Sequence, residues 1–342
     1  MIPAPHRIAI REEVMEREQM ATGRPRVWFE RSVLPALAQH VAARVTTLGP
    51  VTATPDDPHQ ELAGAQAIVA SSDVYDASVM DKAPQLKVIA RTGIGVDKVD
   101  LVAATARGIA VCNAPDGPTV STAEHTVALI LAVAKRIKSS EGELRAGGTD
   151  FYARHEGMEL AGKTLGLVGC GRIGRRVARI ADAMGMFILV HDPYVDAASL
   201  PDGVTQTATL EDLLAASHVV SIHMPLTDES TQLFDDSTFA TMRPGALFVN
   251  AARGGIVDHD ALLGALESGS LSGAALDVTD PEPLPPDHPL LHRPDVVVTA
   301  HIASATSDAK KRIFRSAFEQ VIEVLDGVRP AHLVNPAVWG DS

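Results

Sequence analysis

Residues Thr164–Asp192 read TLGLVGCGRIGRRVARIADAMGMFILVHD: an apolar run, a glycine turn, a helical pattern and a second apolar run. The first run, Thr164 to Val168, is continuously apolar, as a strand buried on both faces should be. Gly169-Cys-Gly171-Arg-Ile-Gly174 follows it and opens a helix near Ile173. Glycines at these places permit a tight turn, close approach of backbone amides to a pyrophosphate and close helix packing, while the helix N-terminus supplies positive potential. Eighteen residues after Gly174, the run FILVH ends in Asp192. A dinucleotide fold places there the acid that accepts from the adenosine ribose hydroxyls. Glycines in an ordinary turn and a loop acid are the plainer reading, and the order and spacing of the two elements outweigh it. Pro193 and Tyr194 follow Asp192, with no adjacent arginine to hold a 2′-phosphate, which favours NAD over NADP.

Working outward, short β-rich runs alternate with helical patterns from about Pro25, the signature of a mainly parallel sheet covered by helices. Strands are expected at Ala67 to Ala70, Leu86 to Ala90, Ile109 to Cys112, Phe187 to His191, Val219 to His223, Ala246 to Asn250, Ala274 to Val278 and Val296 to Ala300. These are too many for one modest sheet, so two α/β units are expected. Asn113 to Thr126, with two prolines and a glycine, is the expected hinge, and Ser121 or Thr122 the cap of a helix with Glu124 in its first turn. That helix carries Val127, Ile130, Leu131, Ala134 and Ile137, with Leu129 and Val133 making it apolar nearly all round. Such a helix is buried on more than one side, between domains or against another subunit. A last amphipathic helix, capped by Ser307 and stopped by Gly327, returns to the first domain; residues 1–24 form an extension.

The chain has 342 residues, 46% of them apolar, and a formal charge of −13, which suits a folded small-molecule protein and not an electrostatically driven nucleic-acid binder. Its longest apolar run, Val127 to Ala134, is far too short to span a bilayer. The first residues lack the apolar centre of a secretory signal, so the cytoplasm is the expected compartment. Cys112 and Cys170 stand alone, without zinc-ligand spacing, and are expected to be packing residues; no metal site is expected.

Three strand ends each deliver a polar residue: Ala246 to Asn250 runs into Ala251-Ala252-Arg253-Gly254-Gly255, Ala274 to Val278 contains Asp277 and leads to Glu282, and Val296 to Ala300 delivers His301. Ligands of open α/β sheets sit beyond the carboxyl ends of the strands. Hydride transfer from a secondary alcohol needs a base for the hydroxyl proton, which suits His301. A carboxylate beside that imidazole favours its charged form and orients it, which suits Glu282. A guanidinium binds a carboxylate through two hydrogen bonds and polarises the neighbouring carbonyl, which suits Arg253. Singly, each is as easily a surface or loop residue; their order after successive strands carries the argument.

Together, RTGIGVD at Arg91–Asp97, ARGIAVCNAP, LVGCGRIG, NAARGGIVD, GAALDV, DPEP and TAHIASAT resemble the D-isomer-specific 2-hydroxyacid dehydrogenases, closest to their phosphoglycerate-dehydrogenase-like branch, over residues 60 to 335. The resemblance implies two Rossmann-like domains with doubly wound parallel sheets. Residues 1–117 and 305–342 would form a discontinuous substrate-binding domain and 118–304 the NAD-binding domain. It implies Arg253, Glu282 and His301 as the catalytic three. It assigns NAD contacts to Thr122, Gly169, Gly171, Arg172, Ile173, Gly174, Asp192, Ala251, Ala252, Asp277 and Ser304. The substrate carboxylate falls to backbone amides around Gly93, Gly95 and Val96, together with Arg253. A homodimer through the 127–137 helix is implied as well.

Departures bear on the substrate. Where phosphoglycerate enzymes carry an arginine before a serine, this chain has Ala70 in VASSD, so a substrate phosphate would lack that partner. Ala303 replaces a common glycine, and Met224 a frequent threonine. The expected activity is reversible NAD-dependent reduction of a small 2-oxo acid to the (R)-2-hydroxy acid. The alternatives are a formate or phosphite dehydrogenase of the same fold and an NAD-sensing corepressor-like binding protein.

Overall fold

The computed structural model describes residues 23–49, 59 and 62–340. Most of the expected N-terminal extension, residues 1–22, lies outside the described residues. The chain divides into two compact units, one made of residues 1–118 and 307–342, the other of residues 119–306. The first unit is therefore discontinuous, closed by the C-terminal helix Ser307–Leu325.

The first unit holds a five-stranded parallel sheet of β1 (Arg26–Phe29), β2 (Thr46–Leu48), β3 (Ala67–Ala70), β4 (Val88–Arg91) and β5 (Ala110–Cys112) in the order β2-β1-β3-β4-β5. The strand order reverses its direction of travel between β1 and β3, so the carboxyl edge there is the place where a crevice forms. Phe314, Ala317, Phe318 and Val321 of the 307–325 helix lie buried with Phe29, Val69 and Ala90 of the sheet. Phe29 stacks on Phe314 at 5.7 Å between ring centres. Gly327, with φ of 77°, ends the helix as expected, in a left-handed turn that costs glycine little.

The second unit holds seven parallel strands: β6 (Thr164–Val168), β7 (Phe187–His191), β8 (Val204–Gln206), β9 (Val219–Ile222), β10 (Ala246–Asn250), β11 (Leu271–Leu276) and β12 (Val296–Val298), ordered β12-β11-β10-β9-β6-β7-β8. This is the doubly wound order, with its switch point between β6 and β9. Cores on both sheet faces explain the continuous apolar strands.

Two local expectations need correction. The expected cap at Ser121 or Thr122 is displaced, because the helix begins at Thr119 and both residues are buried inside it. It also ends at Ala134; Arg136 takes a left-handed φ of 48°, and Ile137 opens a separate helix, Ile137–Arg145, where it is exposed. The all-round apolar pattern of Thr119–Ala134 is met within the unit, where Val127, Leu129, Ile130 and Val133 pack with Leu165, Val177 and Leu247. Both cysteines are buried, as expected.

Candidate active site

The glycine turn sits where β6 meets the helix Arg172–Ala183, next to the carboxyl end of β9. Gly169 has φ of 98°, and a Cβ there would lie 2.7 Å from the His223 carbonyl oxygen. A Cβ on Gly174 would lie 2.6 Å from the Gly169 oxygen. Both glycines are thus demanded by the protein itself. Gly171 differs: a Cβ there would meet no protein atom within 4 Å. Its backbone borders open space at the N-terminus of a twelve-residue helix, the arrangement that receives a pyrophosphate.

Asp192 follows β7. Its Oδ2 accepts the Cys170 N–H at 2.7 Å and its Oδ1 the Tyr194 N–H at 3.0 Å, which fixes the carboxylate against the turn. Arg172 and Ile173 occupy the first turn of the helix. The open Gly171 backbone, the helix N-terminus and this anchored acid together fit a dinucleotide.

Beyond β10, the buried side chain of Asn250 shapes the arginine turn: Nδ2 donates to the Arg253 carbonyl at 2.8 Å, and Oδ1 accepts the Ala252 N–H at 2.9 Å. Arg253 then caps a short 3-10 turn, Gly254–Ile256. A Cβ on Gly254 would fall 2.0 Å from the Thr279 carbonyl oxygen, so glycine lets the ends of β10 and β11 pass each other.

Asp277 stands just past β11, 1% exposed. Its Oδ1 accepts the Thr299 hydroxyl at 2.6 Å and the Ile302 N–H at 2.9 Å, and its Oδ2 accepts the Ala303 N–H at 2.9 Å. His125 Nε2 approaches Oδ1 at 3.2 Å. Burial pushes this carboxyl up, but the donors outweigh it and hold it down at about 2. The Asp277 carbonyl accepts the His301 N–H at 2.7 Å. His301 itself has φ of 52°, which costs a non-glycine residue about 1–2 kcal/mol. Its Nδ1 lies 2.6 Å from Glu282 Oε1, and the two side chains are 45% and 40% exposed. By contrast, burial pushes His223 down to about 4, so it stays neutral near pH 7.

The expected catalytic pair His301 and Glu282 is thus in contact, and Arg253, Ala251, Ala252, Asp277 and Ser304 all lie at or beyond the carboxyl ends of neighbouring strands β10, β11 and β12. Thr122 is buried in its helix, where its carbonyl accepts the Thr126 hydroxyl. Ala303 takes no left-handed conformation, so its methyl replaces the common glycine without backbone strain. Three residues escaped the sequence reading: Asn250, His125 and Thr299. Asn250 ends an expected strand beside Arg253, a position that could have drawn notice; the other two act through partners far along the chain.

In the first unit, the Gly93, Ile94 and Gly95 carbonyls accept from the Ala114 N–H, Asn113 Nδ2 and Arg91 Nε. That turns the carbonyls inward and leaves the amides of Gly93, Gly95 and Val96 without acceptors among the described residues, as an anion nest requires. Beside this loop, the Glu30 carboxylate accepts the Ser71, Ser72 and Asp73 amides at 2.5, 2.5 and 3.2 Å and the Tyr75 hydroxyl at 2.9 Å. Although burial raises the Glu30 carboxyl, these bonds hold it below its usual range.

Among the described residues, no helix is long and apolar enough to cross a membrane, and no group of three His, Cys, Asp or Glu residues is arranged to hold a metal ion. The D-isomer specific 2-hydroxyacid dehydrogenase NAD binding domain matches residues 127–303. A D-3-phosphoglycerate dehydrogenase of Archaeoglobus fulgidus is 41% identical over 268 residues, 78% of this chain and 51% of that protein. The chain spans about half the length of the curated relatives it matches. A solved Thermus thermophilus protein superposes with a TM-score of 0.81 at 39% identity, covering 90% of this chain and 99% of the other. The Rhodotorula graminis D-mandelate dehydrogenase superposes at 0.81 with 28% identity, covering 91% and 98%. The chain belongs to the D-isomer specific 2-hydroxyacid dehydrogenase family and carries its NAD binding domain at residues 127–303.

Proposed function

We propose that the protein is an NAD-dependent oxidoreductase that reversibly reduces a small 2-oxo acid to the (R)-2-hydroxy acid. The single observation that carries this reading is the 2.6 Å contact between His301 Nδ1 and Glu282 Oε1 at the strand ends that also present Arg253. When bound, the reduced nicotinamide supplies the hydride. Gly169, Gly171, Arg172, Ile173 and Gly174 would hold the pyrophosphate, and Asp192 the adenosine ribose. Thr122, Ala251, Ala252, Asp277 and Ser304 would line the rest of the cofactor site.

An ionised Glu282 only accepts, so His301 Nδ1 carries the hydrogen between them and Nε2 is left to hold the mobile proton. Nε2 gives that proton to the substrate oxygen in reduction and takes it back in oxidation. The Arg253 guanidinium pairs with the substrate carboxylate and polarises the adjacent carbonyl. Within the first unit, the amides of Gly93, Gly95 and Val96 form a nest suited to a carboxylate. Replacing His301 by Ala is expected to lower kcat by about 100-fold or more while NADH affinity stays within about twofold. Near-normal turnover of that variant would overturn the assignment.

For the side chain of the substrate, Ala70 and Glu30 support an acid without phosphate. Position 70 offers no cation, and Glu30 already takes the neighbouring amides. A second reading, a phosphorylated 2-hydroxy acid, is favoured by the name of the Archaeoglobus relative and by two cations on this loop: Arg31 donates to the Ser72 hydroxyl and Lys98 to its carbonyl. We further infer a homodimer formed through the region of residues 127–137 and the helix that follows. Ile137 and Leu144 are exposed there, and Tyr152 is 99% exposed nearby.

A further inference from the structure

We propose that His125 is a positioning residue for His301, acting through Asp277 to hold the catalytic imidazole's backbone in its left-handed conformation; this rests on the assignment of His301 as the proton donor. His125 lies in the 119–134 helix and has no place among the catalytic three or the cofactor contacts. Its Nε2 is 3.2 Å from Asp277 Oδ1 and 3.1 Å from the Thr299 hydroxyl. An ionised carboxylate can only accept, so Nε2 is the protonated nitrogen of that ring.

The consequence runs through Asp277. Its Oδ1 receives three donors, from His125, Thr299 and the Ile302 amide, and its Oδ2 receives the Ala303 amide. The two amides belong to the residues that immediately follow His301, whose own N–H is tied to the Asp277 carbonyl. Asp277 thereby fixes the chain around a residue with φ of 52°, its backbone carbonyl holding the His301 N–H and its buried carboxylate the two amides that follow. A conformation of that kind persists only where the surroundings over-determine it. Without the His125 donor, the buried carboxylate loses part of its compensation and can turn away from the 302–303 amides. His301 then relaxes toward an ordinary backbone conformation and its Nδ1 leaves Glu282. The contacts proposed for NADH at the glycine turn and Asp192 are untouched, because neither makes a bond to this network among the described residues. Asp277, 1% exposed with both carboxylate oxygens already accepting protein donors, borders the cofactor site without offering those oxygens to it.

The test uses the whole chain and a 2-oxo acid that the native protein reduces. His125→Leu is expected to lower kcat about 10- to 100-fold, with NADH affinity by fluorescence titration within about twofold. The primary deuterium isotope effect on kcat with deuterated NADH should rise, since a misplaced proton donor slows the chemical step. His125→Gln, which offers an N–H at a similar place, should restore kcat to within about threefold of native. Thr299→Val removes another donor to the same oxygen and should repeat the His125→Leu pattern should that variant not fold. His301→Ala is measured alongside. If it abolishes turnover while His125→Leu and Thr299→Val keep native kcat, this proposal fails alone; if His301→Ala itself turns over normally, the underlying assignment fails. Joint loss of kcat and NADH affinity in His125→Leu would also overturn it, by pointing to a cofactor role.

Discussion

Gly171 and Gly254 flank the candidate site, yet a methyl group added to each has opposite consequences. A Cβ on Gly171 meets no protein atom within 4 Å, so Gly171→Ala is expected to leave the melting temperature within about 2 °C while weakening NADH binding about tenfold, because the methyl would enter the path proposed for the pyrophosphate. A Cβ on Gly254 collides with the Thr279 carbonyl, so Gly254→Ala should destabilise the fold by about 2–4 kcal/mol. Thermal melts and fluorescence titration of both variants check the contrast; a destabilised Gly171→Ala with native NADH affinity would remove the cofactor from that turn. His301, Glu282 and Arg253 stand out in the sequence as candidates because each follows a strand and carries chemistry suited to hydride transfer, and the fold adds the contact between the first two. His125 does not stand out: its partner Asp277 is brought to it only by the folded sheet, and in sequence it is one histidine on an apolar helix.

The segment from β11 to β12 stakes its order on one carboxylate. Asp277 holds a folded-state value of about 2, below the ordinary value of about 3.9, so folding favours its ionised form. Its contribution, on the order of 2 kcal/mol, is complete above about pH 4 and is lost as the pH falls through about 2. Denaturant melts of native protein and Asp277→Asn should therefore differ at pH 7 and converge toward pH 2. A difference that grows on acidification would contradict the arrangement. At the same scale, the central strands β6, β7 and β10 were legible as apolar runs, whereas the short edge strands β2 and β8, with the sequences TTL and VTQ, are partly exposed and carry little apolar signal. The helix start at Thr119 was obscured because Ser121 and Thr122 look like caps, although both are buried within it. The break at Arg136 has no sequence mark at all, since neither glycine nor proline stands there.

At the scale of the molecule, two parallel sheets of different order share one chain, and the C-terminal helix that completes the first unit was foreshadowed by its apolar face. The exposed Ile137, Leu144 and Tyr152 lead to an expected dimer by light scattering, and Leu144→Asp is expected to shift it toward monomer. A native chain that stays monomeric at micromolar concentration would contradict that. The engagement of Glu30 with the 71–73 amides, on which the proposal of an unphosphorylated substrate draws, was not legible in the sequence, because it is a contact across 41 residues or more. The most direct test of the central claim is NADH oxidation by the purified chain against a panel of 2-oxo acids, phosphorylated and unphosphorylated, with formate and phosphite assayed in the NAD-reducing direction. The account predicts turnover of an unphosphorylated 2-oxo acid and none of formate or phosphite. NADH binding without turnover of any 2-oxo acid, or NAD reduction by formate or phosphite alone, would contradict it.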